Sequence, residues 1–175
     1  MGSGSFGPYI NSCGGNRLYS DYYDVYPSEL AKDKKDPDIY DSEKGYFKNP
    51  TATSLMSSIK DNTVYIQGLK AHGTFTYVLD KDGNIIFGKR YNPNNPSKRS
   101  PHPTLIGGKN PLVQCAGMIT FSNGKIVSID ERSGHFRPNE KSLDKVNKIL
   151  DTLFESNPSL FSKKSKWRKK KWIKI

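Results

Sequence analysis

The sequence predicts an α+β domain in which an antiparallel meander of about five or six strands is covered by a C-terminal helix. Residues 74–88 (TFTYVLDKDGNIIFG) and 114–130 (QCAGMITFSNGKIVSID) each contain two β-branched and aromatic runs around a Gly-containing turn. This pattern is typical of a β-hairpin. Residues 139–156 then carry apolar side chains at helical spacing, which predicts an amphipathic helix packed on the sheet.

The segments around the first hairpin give weaker signals. Residues 1–16 (MGSGSFGPYINSCGGN) predict a flexible lead, and the polar residues 28–44 predict a loop. Residues 62–68 (NTVYIQG) alternate weakly and predict a strand. The proline-rich residues 90–103 predict a long loop between the two hairpins, and loops of that length often carry function.

The second hairpin and the helix after it carry the strongest local signals. Asn123-Gly124 is a preferred hairpin turn. Alternation along the preceding strand places four residues on one face: Cys115, Gly117, Ile119 and Phe121. Asn139 is a good helix N-cap, and Asn157-Pro158 should end the helix. The apolar stripe expected to face the sheet consists of Leu143, Val146, Ile149, Leu150, Leu153 and Phe154.

The basic charge is concentrated at the C-terminus. The chain of 175 residues has a formal net charge of +11, yet residues 161–175 (FSKKSKWRKKKWIKI) hold eight of its 28 Lys and Arg residues and no acid. Without that segment the net charge would be +3. We therefore divide the chain into the flexible lead, a single α+β domain at residues 17–156 and a basic tail at residues 157–175. Removal of the tail should leave the domain folded.

The basic tail predicts an anionic partner. A helix that begins near Asn157 would present Leu160, Trp167 and Ile173 to the apolar groove of a calmodulin-like protein. The same composition suits nucleic acid or an acidic membrane surface. The candidate binding residues of the tail are Trp167, Arg168 and Trp172.

Other functional classes receive little support from the sequence. Cys13 and Cys115 are too few for a disulfide scaffold, and Cys115 lies in an apolar run that predicts a buried thiol. Neither an HExxH motif nor a Cys/His cluster occurs, so we expect no metal site. Because no apolar run reaches about 18 residues, we expect no membrane-spanning helix.

Two histidines lie in loops that flank the same strands. His102 ends the long loop in SPHPTLIGG, and His135 lies in ERSGHFRP between the last strand and the helix. If the loop folds back, the two rings should lie within about 10 Å of one another. Together with Thr104 and Arg137 they could then form a metal-free acid/base site for phosphodiester chemistry. The alternative is that His135 holds the bend through hydrogen bonds to the backbone.

The same rim contains candidate binding residues, which are Gly107, Gly108, Lys109 and Ser133. A phosphate-binding loop would follow its glycine and lysine with Ser or Thr and would open a helix. Here Asn110 and Pro111 follow, so the paired glycines predict a tight bend.

These segments resemble a domain known in two settings. One is the C-terminal modules of bacterial polymorphic toxins and effectors, and the other is the plant IQ-motif-containing calmodulin-binding proteins of the IQM type. The domain carries a strand hairpin, His-Ser-Ser-x-x-x-Gly-Gly, an Ala-Gly strand, an Asn-Gly turn, and Ser-Gly-His-Tyr-x-Pro before a helix. The matching residues here are His102, Gly107, Gly108, Ala116, Gly117, Asn123, Gly124, Ser133, Gly134, His135 and Pro138.

The resemblance extends towards the N-terminus and has two departures. Residues 16–26 (NRLYSDYYDVY) are similar to the Arg-Tyr…Tyr-Tyr-Asp-x-Trp near the front of that domain, so the likeness covers residues 16–155. Pro103-Thr104 stands where the domain has Ser-Ser, and Phe136 stands where it has Tyr. The Ile-Gln calmodulin motif is absent, because Ile66-Gln67 lacks the Arg-Gly that should follow.

The bacterial setting implies a toxin or effector domain that acts enzymatically on an anionic substrate. The reaction would be that of a ribonuclease on RNA or an ADP-ribosyltransferase with NAD as co-substrate, and Glu131 is the nearest carboxylate to test for the latter. Such a domain would be secreted or delivered into the cytoplasm of a target cell as part of a larger chain, with a cognate immunity protein as partner. The alternative is a non-catalytic module that binds calmodulin or nucleic acid.

Overall fold

The computed structural model describes residues 22–48, 52–92, 95–108 and 111–168, with the backbone alone at residue 92 and residues 95–99. The predicted lead lies outside the described residues. Within them the chain is an α+β fold in which antiparallel strands pack against a C-terminal helix. The predicted fold class is therefore confirmed. None of the described helices is both long and apolar enough to cross a membrane.

The described elements follow one another in this order: α1 (Pro27–Lys34), β1 (Tyr40–Asp41), β2 (Tyr46–Phe47), β3 (Thr53–Ser54), a 3₁₀ turn (Met56–Ser58), β4 (Ile59–Lys60), β5 (Thr63–Ile66), β6 (Leu69–Lys70), β7 (Gly73–Leu79), β8 (Ile85–Gly88), β9 (Tyr91–Asn92), β10 (Asn95–Arg99), α2 (Pro103–Ile106), β11 (Cys115–Ser122), β12 (Lys125–Ile129), α3 (Glu140–Ser156) and a second 3₁₀ turn (Pro158–Leu160).

The main sheet has five strands in the order β12-β11-β7-β8-β3, and its neighbouring strands are antiparallel. The two predicted hairpins form its centre, and Ile119 of the second hairpin pairs with Phe75 of the first. The Asn123-Gly124 turn has the positive φ angles, 47° and 82°, that a tight hairpin turn of this kind requires. The strand predicted at 62–68 is β5, which lies in a separate three-stranded sheet with β4 and β6.

One face of the main sheet packs against α3. Cys115, Ile119 and Phe121 point into this first core, as the alternation predicts. The apolar stripe of α3 meets them, with Val146, Leu150, Leu153 and Phe154 buried and Leu143 and Ile149 packed at the margin. Asn139 caps the helix, since its Oδ1 accepts a hydrogen bond of 3.2 Å from the Ser142 amide.

The opposite face of the sheet is also buried, beneath a second core. Its buried residues are Tyr23, Val25, Ile39, Phe47, Val78, Leu105, Val113, Ala116 and Phe136. Val78 and Ala116 are the contribution of the sheet, and the other side chains come from loops and short elements. The prediction that residues 28–44 are a loop is wrong at their start, because α1 begins at Pro27. Proline is tolerated in the first helical turn, and the negative charge of Glu29 in that turn interacts favourably with the helix dipole.

The C-terminal segment packs into the first core beyond the predicted end of the domain. Leu160, Phe161 and Trp167 are buried there, and Phe161 forms a parallel bridge with Ile126. The expectation of one continuous helix after Asn157 is wrong for the described residues, because a 3₁₀ turn, a bridge and a short helix at 166–168 replace it.

The long loop predicted at 90–103 is only partly irregular. Its described backbone forms β9 and β10, which pair with one another in an antiparallel two-stranded ribbon. The chain then enters α2, whose first residue is Pro103. This ribbon and short helix bring the His102 end of the segment back onto the main sheet.

Candidate functional site

The bend at residues 131–138 begins where the chain crosses over β11. The Asp130 amide donates to the Met118 carbonyl over 3.0 Å, and the Met118 amide donates to Asp130 Oδ1 over 2.9 Å. This crossing brings the backbone of Asp130 against Gly117, where any Cβ would overlap the Asp130 carbonyl. The Ala-Gly motif therefore has a steric reason: only glycine leaves room for the chain that leads into the bend.

His102 ties the bend to the sheet from the inside. Its Nε2 lies 2.7 Å from the Gly117 carbonyl oxygen, and its Nδ1 lies 3.1 Å from Ser133 Oγ. A carbonyl only accepts, so Nε2 carries the proton and Nδ1 accepts from the Ser133 hydroxyl. Ser133 Oγ in turn accepts from the Phe136 amide over 3.3 Å. The result is a directed chain of hydrogen bonds from the bend, through the ring, to β11.

These contacts give His102 a structural role. The residue is 6% exposed, and both ring nitrogens are used within the protein. Burial lowers the pKa of His102 to about 4, against the opposing effect of its bond to Gly117. The ring is therefore neutral at physiological pH. Because both ring nitrogens are already bonded within the protein and the pKa is about 4, the ring has no free nitrogen for proton exchange with a substrate near neutral pH, which differs from the expected acid/base role.

Thr104 and the paired glycines shape the loop around His102. Thr104 is buried, and its Oγ1 donates to the Pro101 carbonyl over 2.7 Å. Gly107 and Gly108 have φ angles of 68° and 83°. Gly108 exchanges two backbone hydrogen bonds with Phe47, of 2.8 and 3.1 Å. The glycines thus make the tight bend that the sequence predicts, and Lys109 lies outside the described residues.

The outer side of the bend docks on α1. His135 Nε2 lies 3.0 Å from Asp33 Oδ2 and 3.8 Å from Glu29 Oε1, and the His135 side chain is 18% exposed. The Tyr26 amide donates to the His135 carbonyl over 2.8 Å. Glu29 and Asp33 lie four residues apart, on the same face of a helix. The sequence reasoning missed both acids because it predicted a loop at their positions.

Arg137 lies on the solvent side of the same contact. Its guanidinium carbon is 3.8 Å from the centre of the Tyr26 ring, its Nε donates to the Gly134 carbonyl over 2.9 Å, and one terminal nitrogen is 3.9 Å from Glu29 Oε2. The side chain is still 46% exposed. Arg137 is therefore a held, solvent-facing cation of the kind that binds phosphate or carboxylate groups.

Asp24 is a buried acid that the sequence reasoning did not select. It is 2% exposed, and among the described residues neither carboxylate oxygen has a hydrogen-bond partner. Burial raises the pKa of Asp24 to about 6, against the opposing effect of its own backbone amide. A sequence motif could have identified this acid. Asp24 belongs to Tyr22-Tyr23-Asp24, which matches the Tyr-Tyr-Asp at the front of the resembling domain.

The segment around Asp24 is attached to the bend on both sides of this residue. The Tyr23 hydroxyl accepts from the Asn139 amide over 3.1 Å, and Tyr26 bonds to the carbonyl of His135. The front motif, the His102 loop and the Ser-Gly-His bend therefore meet at one end of the sheet, although they are far apart in sequence.

A second group of buried polar side chains lies beneath the N-terminal end of α3. The Tyr77 hydroxyl donates to the Asp130 carbonyl over 2.6 Å, and Cys115 Sγ lies 3.2 Å from Ser142 Oγ and 3.3 Å from the Tyr77 hydroxyl. Burial raises the pKa of both Tyr77 and Cys115. The thiol therefore stays protonated, and the predicted buried Cys115 is confirmed.

Two of the candidate residues of the tail, Trp167 and Arg168, are held against the domain. Trp167 is buried and donates from Nε1 to Asp151 Oδ1 over 2.7 Å, so its ring is not presented to a partner. Arg168 donates to the Pro158 carbonyl over 3.1 Å, and Trp172 lies outside the described residues. Across the described ranges, no group of three or more His, Cys, Asp or Glu side chains is arranged to hold a metal ion.

Comparison with protein-family models, with curated proteins and with solved structures finds no match to this chain.

Proposed function

We propose that the chain is a toxin or effector domain that acts enzymatically on an anionic substrate at the outer side of the bend. In this proposal Asp24 is the acid/base group and Arg137 binds an anionic group of the substrate. His135 is a positioning residue, held by Asp33, that sets the conformation of the bend. His102, Thr104 and Ser133 support the bend from within. The toxin or effector assignment, with delivery to a target cell and an immunity protein as partner, rests on the sequence resemblance.

The orphaned carboxyl of Asp24 carries the proposal. Buried polar groups are almost always hydrogen-bonded, so an unpaired buried carboxyl calls for an explanation. An acid whose pKa is raised to about 6 can both donate and accept a proton near neutral pH. Stability alone would favour an apolar or amide side chain at this position. A role in proton transfer gives a reason for the acid to be there.

Arg137 supports the anionic class of substrate. Its guanidinium is stacked on Tyr26, which fixes its orientation before any ligand arrives. The side chain is also half exposed, so a ligand can reach it. A planar guanidinium pairs with phosphate through two parallel hydrogen bonds. RNA and NAD both carry such phosphates, so they remain the two candidate substrates.

The test is expression of the wild-type chain and of Asp24→Asn in a bacterial and a eukaryotic host, with growth as the readout. We expect the wild type to arrest growth in one host and Asp24→Asn to reduce the arrest at least about tenfold, on the scale of lost acid/base catalysis. Asp82→Asn is the matched control, since Asp82 is an exposed carboxylate in the β7–β8 turn. The melting temperature of each purified variant separates loss of activity from loss of fold.

Purified protein would then be incubated with total RNA and, separately, with NAD. Cleavage of RNA or consumption of NAD, reduced in Asp24→Asn and in Arg137→Gln, supports the proposal and selects between the two substrates. Full growth arrest by a folded Asp24→Asn variant would contradict the role of Asp24. A wild-type chain that arrests neither host and alters neither substrate would refute the enzymatic function.

A further inference from the structure

We infer that Lys125, Lys163, Lys164, Lys166 and Arg168 form a docking surface for the phosphate backbone of double-stranded nucleic acid. We call this set the C-terminal basic surface. The inference is independent of the proposed reaction, because it rests on charge and packing on a different part of the molecule. The first observation that supports it is that residues 161–168, the C-terminal segment, lie along β12.

The C-terminal segment runs beside the β11–β12 hairpin. The Ser162 amide donates to the Ile126 carbonyl over 2.8 Å, directly after the parallel bridge between Phe161 and Ile126. Lys125 directly precedes Ile126 and Lys163 directly follows Ser162, so both lysines lie beside this contact. The Lys125 ammonium donates to the carbonyl of Asn62, so its position is also fixed.

The basic side chains of the segment stand on a rigid base. Phe161 and Trp167 are buried in the first core with their ring centres 5.0 Å apart, and Ser165 is fully buried between them in sequence. Lys166 Nζ donates to Asn147 Oδ1 over 3.0 Å and lies over the Trp167 ring. A ligand therefore meets cations whose backbone is already ordered, which reduces the entropy lost on binding.

The charges of this surface are not neutralised by the described part of the protein. Lys163, Lys164 and Lys166 are exposed, and no member of the surface takes part in a described ion pair. Asp151, whose carboxylate accepts from the Trp167 indole, keeps its negative charge but forms no described ion pair with these cations. The described ion pairs lie elsewhere, chiefly around α1 and the start of the bend. The positive potential of the segment therefore faces solvent.

Among the described residues of the C-terminal segment, neither aromatic ring is exposed, which favours a duplex. Binding of a single strand relies on bases stacked on aromatic rings, but Phe161 and Trp167 are both buried. The same burial removes these two rings as apolar anchors for a calmodulin-like groove or a membrane interface. Lysine and arginine side chains alone suit a phosphate backbone, which is recognised mainly by charge.

The test measures binding of the full-length chain to a labelled RNA duplex of about 20 base pairs by fluorescence anisotropy over a salt series. The test variant is the double substitution Lys163→Gln and Lys164→Gln, and the control is Lys44→Gln with Lys81→Gln, which removes the same charge from exposed sites elsewhere. We expect the test variant to weaken binding about tenfold and to reduce the slope of log K against log salt by about two. The control should retain wild-type affinity to within about twofold.

Three outcomes would overturn the inference. The first is equal loss of affinity in the test and control variants, which would mean that only total charge matters. The second is unchanged affinity in the test variant. The third is tighter binding to a single strand of the same length, or to vesicles of anionic lipid, than to the duplex. Because none of these readouts measures catalysis, they are independent of the growth and substrate assays at Asp24.

Discussion

His102 and Asp24 belong to two segments that are both bonded to the bend, and both are buried ionisable groups, yet their surroundings are opposite. His102 is 6% exposed and has a partner for each ring nitrogen, whereas Asp24 is 2% exposed and, within the described part of the chain, has a partner for neither oxygen. Burial shifts both pKa values towards the neutral form, to about 4 for His102 and about 6 for Asp24.

The difference separates structure from candidate chemistry at this site. A buried polar group with all its partners stabilises the fold and specifies a unique arrangement, whereas a buried group with none costs stability. The histidine that the sequence motif emphasises is thus the supporting residue. The acid in the less conspicuous front motif is the one that stability does not explain.

The largest effect should come from His102→Ala. The substitution leaves the Gly117 carbonyl without its donor and the Ser133 hydroxyl without its acceptor and opens a cavity, so we expect a loss of about 3 kcal/mol in the free energy of unfolding at pH 7. For a chain of this size the melting temperature should fall by about 6–12 °C. His72→Ala, which changes an exposed histidine, is the control and should cost under about 1 kcal/mol. A comparable cost for both variants would mean that the buried ring contributes no special stability.

The second prediction concerns pH, where the two groups act in opposite directions. Between about pH 4 and 6.5 the unfolded state holds a proton on His102 that the folded state lacks, so this histidine makes stability rise with pH. Between about pH 4 and 6 the folded state holds a proton on Asp24 that the unfolded state lacks, so this acid makes stability fall with pH. In the wild type the two slopes should largely cancel.

Single variants should therefore unmask opposite slopes. The measurement is denaturant unfolding at several pH values, with each variant compared with its own free energy of unfolding at pH 4. For Asp24→Asn this free energy should rise by up to about 2–3 kcal/mol between pH 4 and 6.5. For His102→Ala it should fall by a similar amount between pH 4 and 6. Parallel profiles for the two variants would show that the two groups do not titrate as their burial indicates.

Ser133→Ala should have an intermediate effect. The change leaves His102 Nδ1 and the Phe136 amide without a partner but creates little empty volume, so we expect a loss of about 1–2 kcal/mol in the free energy of unfolding. Ser57→Ala is the control, since Ser57 is exposed in a 3₁₀ turn and should change stability by under about 0.5 kcal/mol. If the two serine variants are equally stable, the hydrogen-bond chain through His102 does not support the bend.

The smallest effect on stability should come from His135→Ala. Its Nε2 lies near the carboxylates of Asp33 and Glu29, yet it has no hydrogen-bond partner among the described residues, so the substitution removes no hydrogen bond of the ring. We therefore expect a loss under about 1 kcal/mol in the free energy of unfolding. Chemical denaturation with urea is the suitable measurement. A loss as large as that of His102→Ala would place both histidines in the same structural class.

The sequence by itself determined the elements whose signals are local. The Asn123-Gly124 turn, the strand face with Cys115 and Ile119, and the helix that begins after Asn139 all follow from patterns within about twenty residues. Turn chemistry, side-chain alternation and capping act between near neighbours. The antiparallel sheet with a helix on one face follows from placing those elements together.

Only the tertiary structure decided which polar residues are paired and which are not. Ser133 meets His102 across 31 positions of sequence, and Trp167 enters the core from a segment whose composition predicts a solvent-exposed tail. The Asp24 carboxyl, in contrast, has no hydrogen-bond partner among the residues that the structure describes. The difference has a physical reason. Periodicity shows that a residue can be buried, but its partners and its pKa depend on which distant segments pack against it.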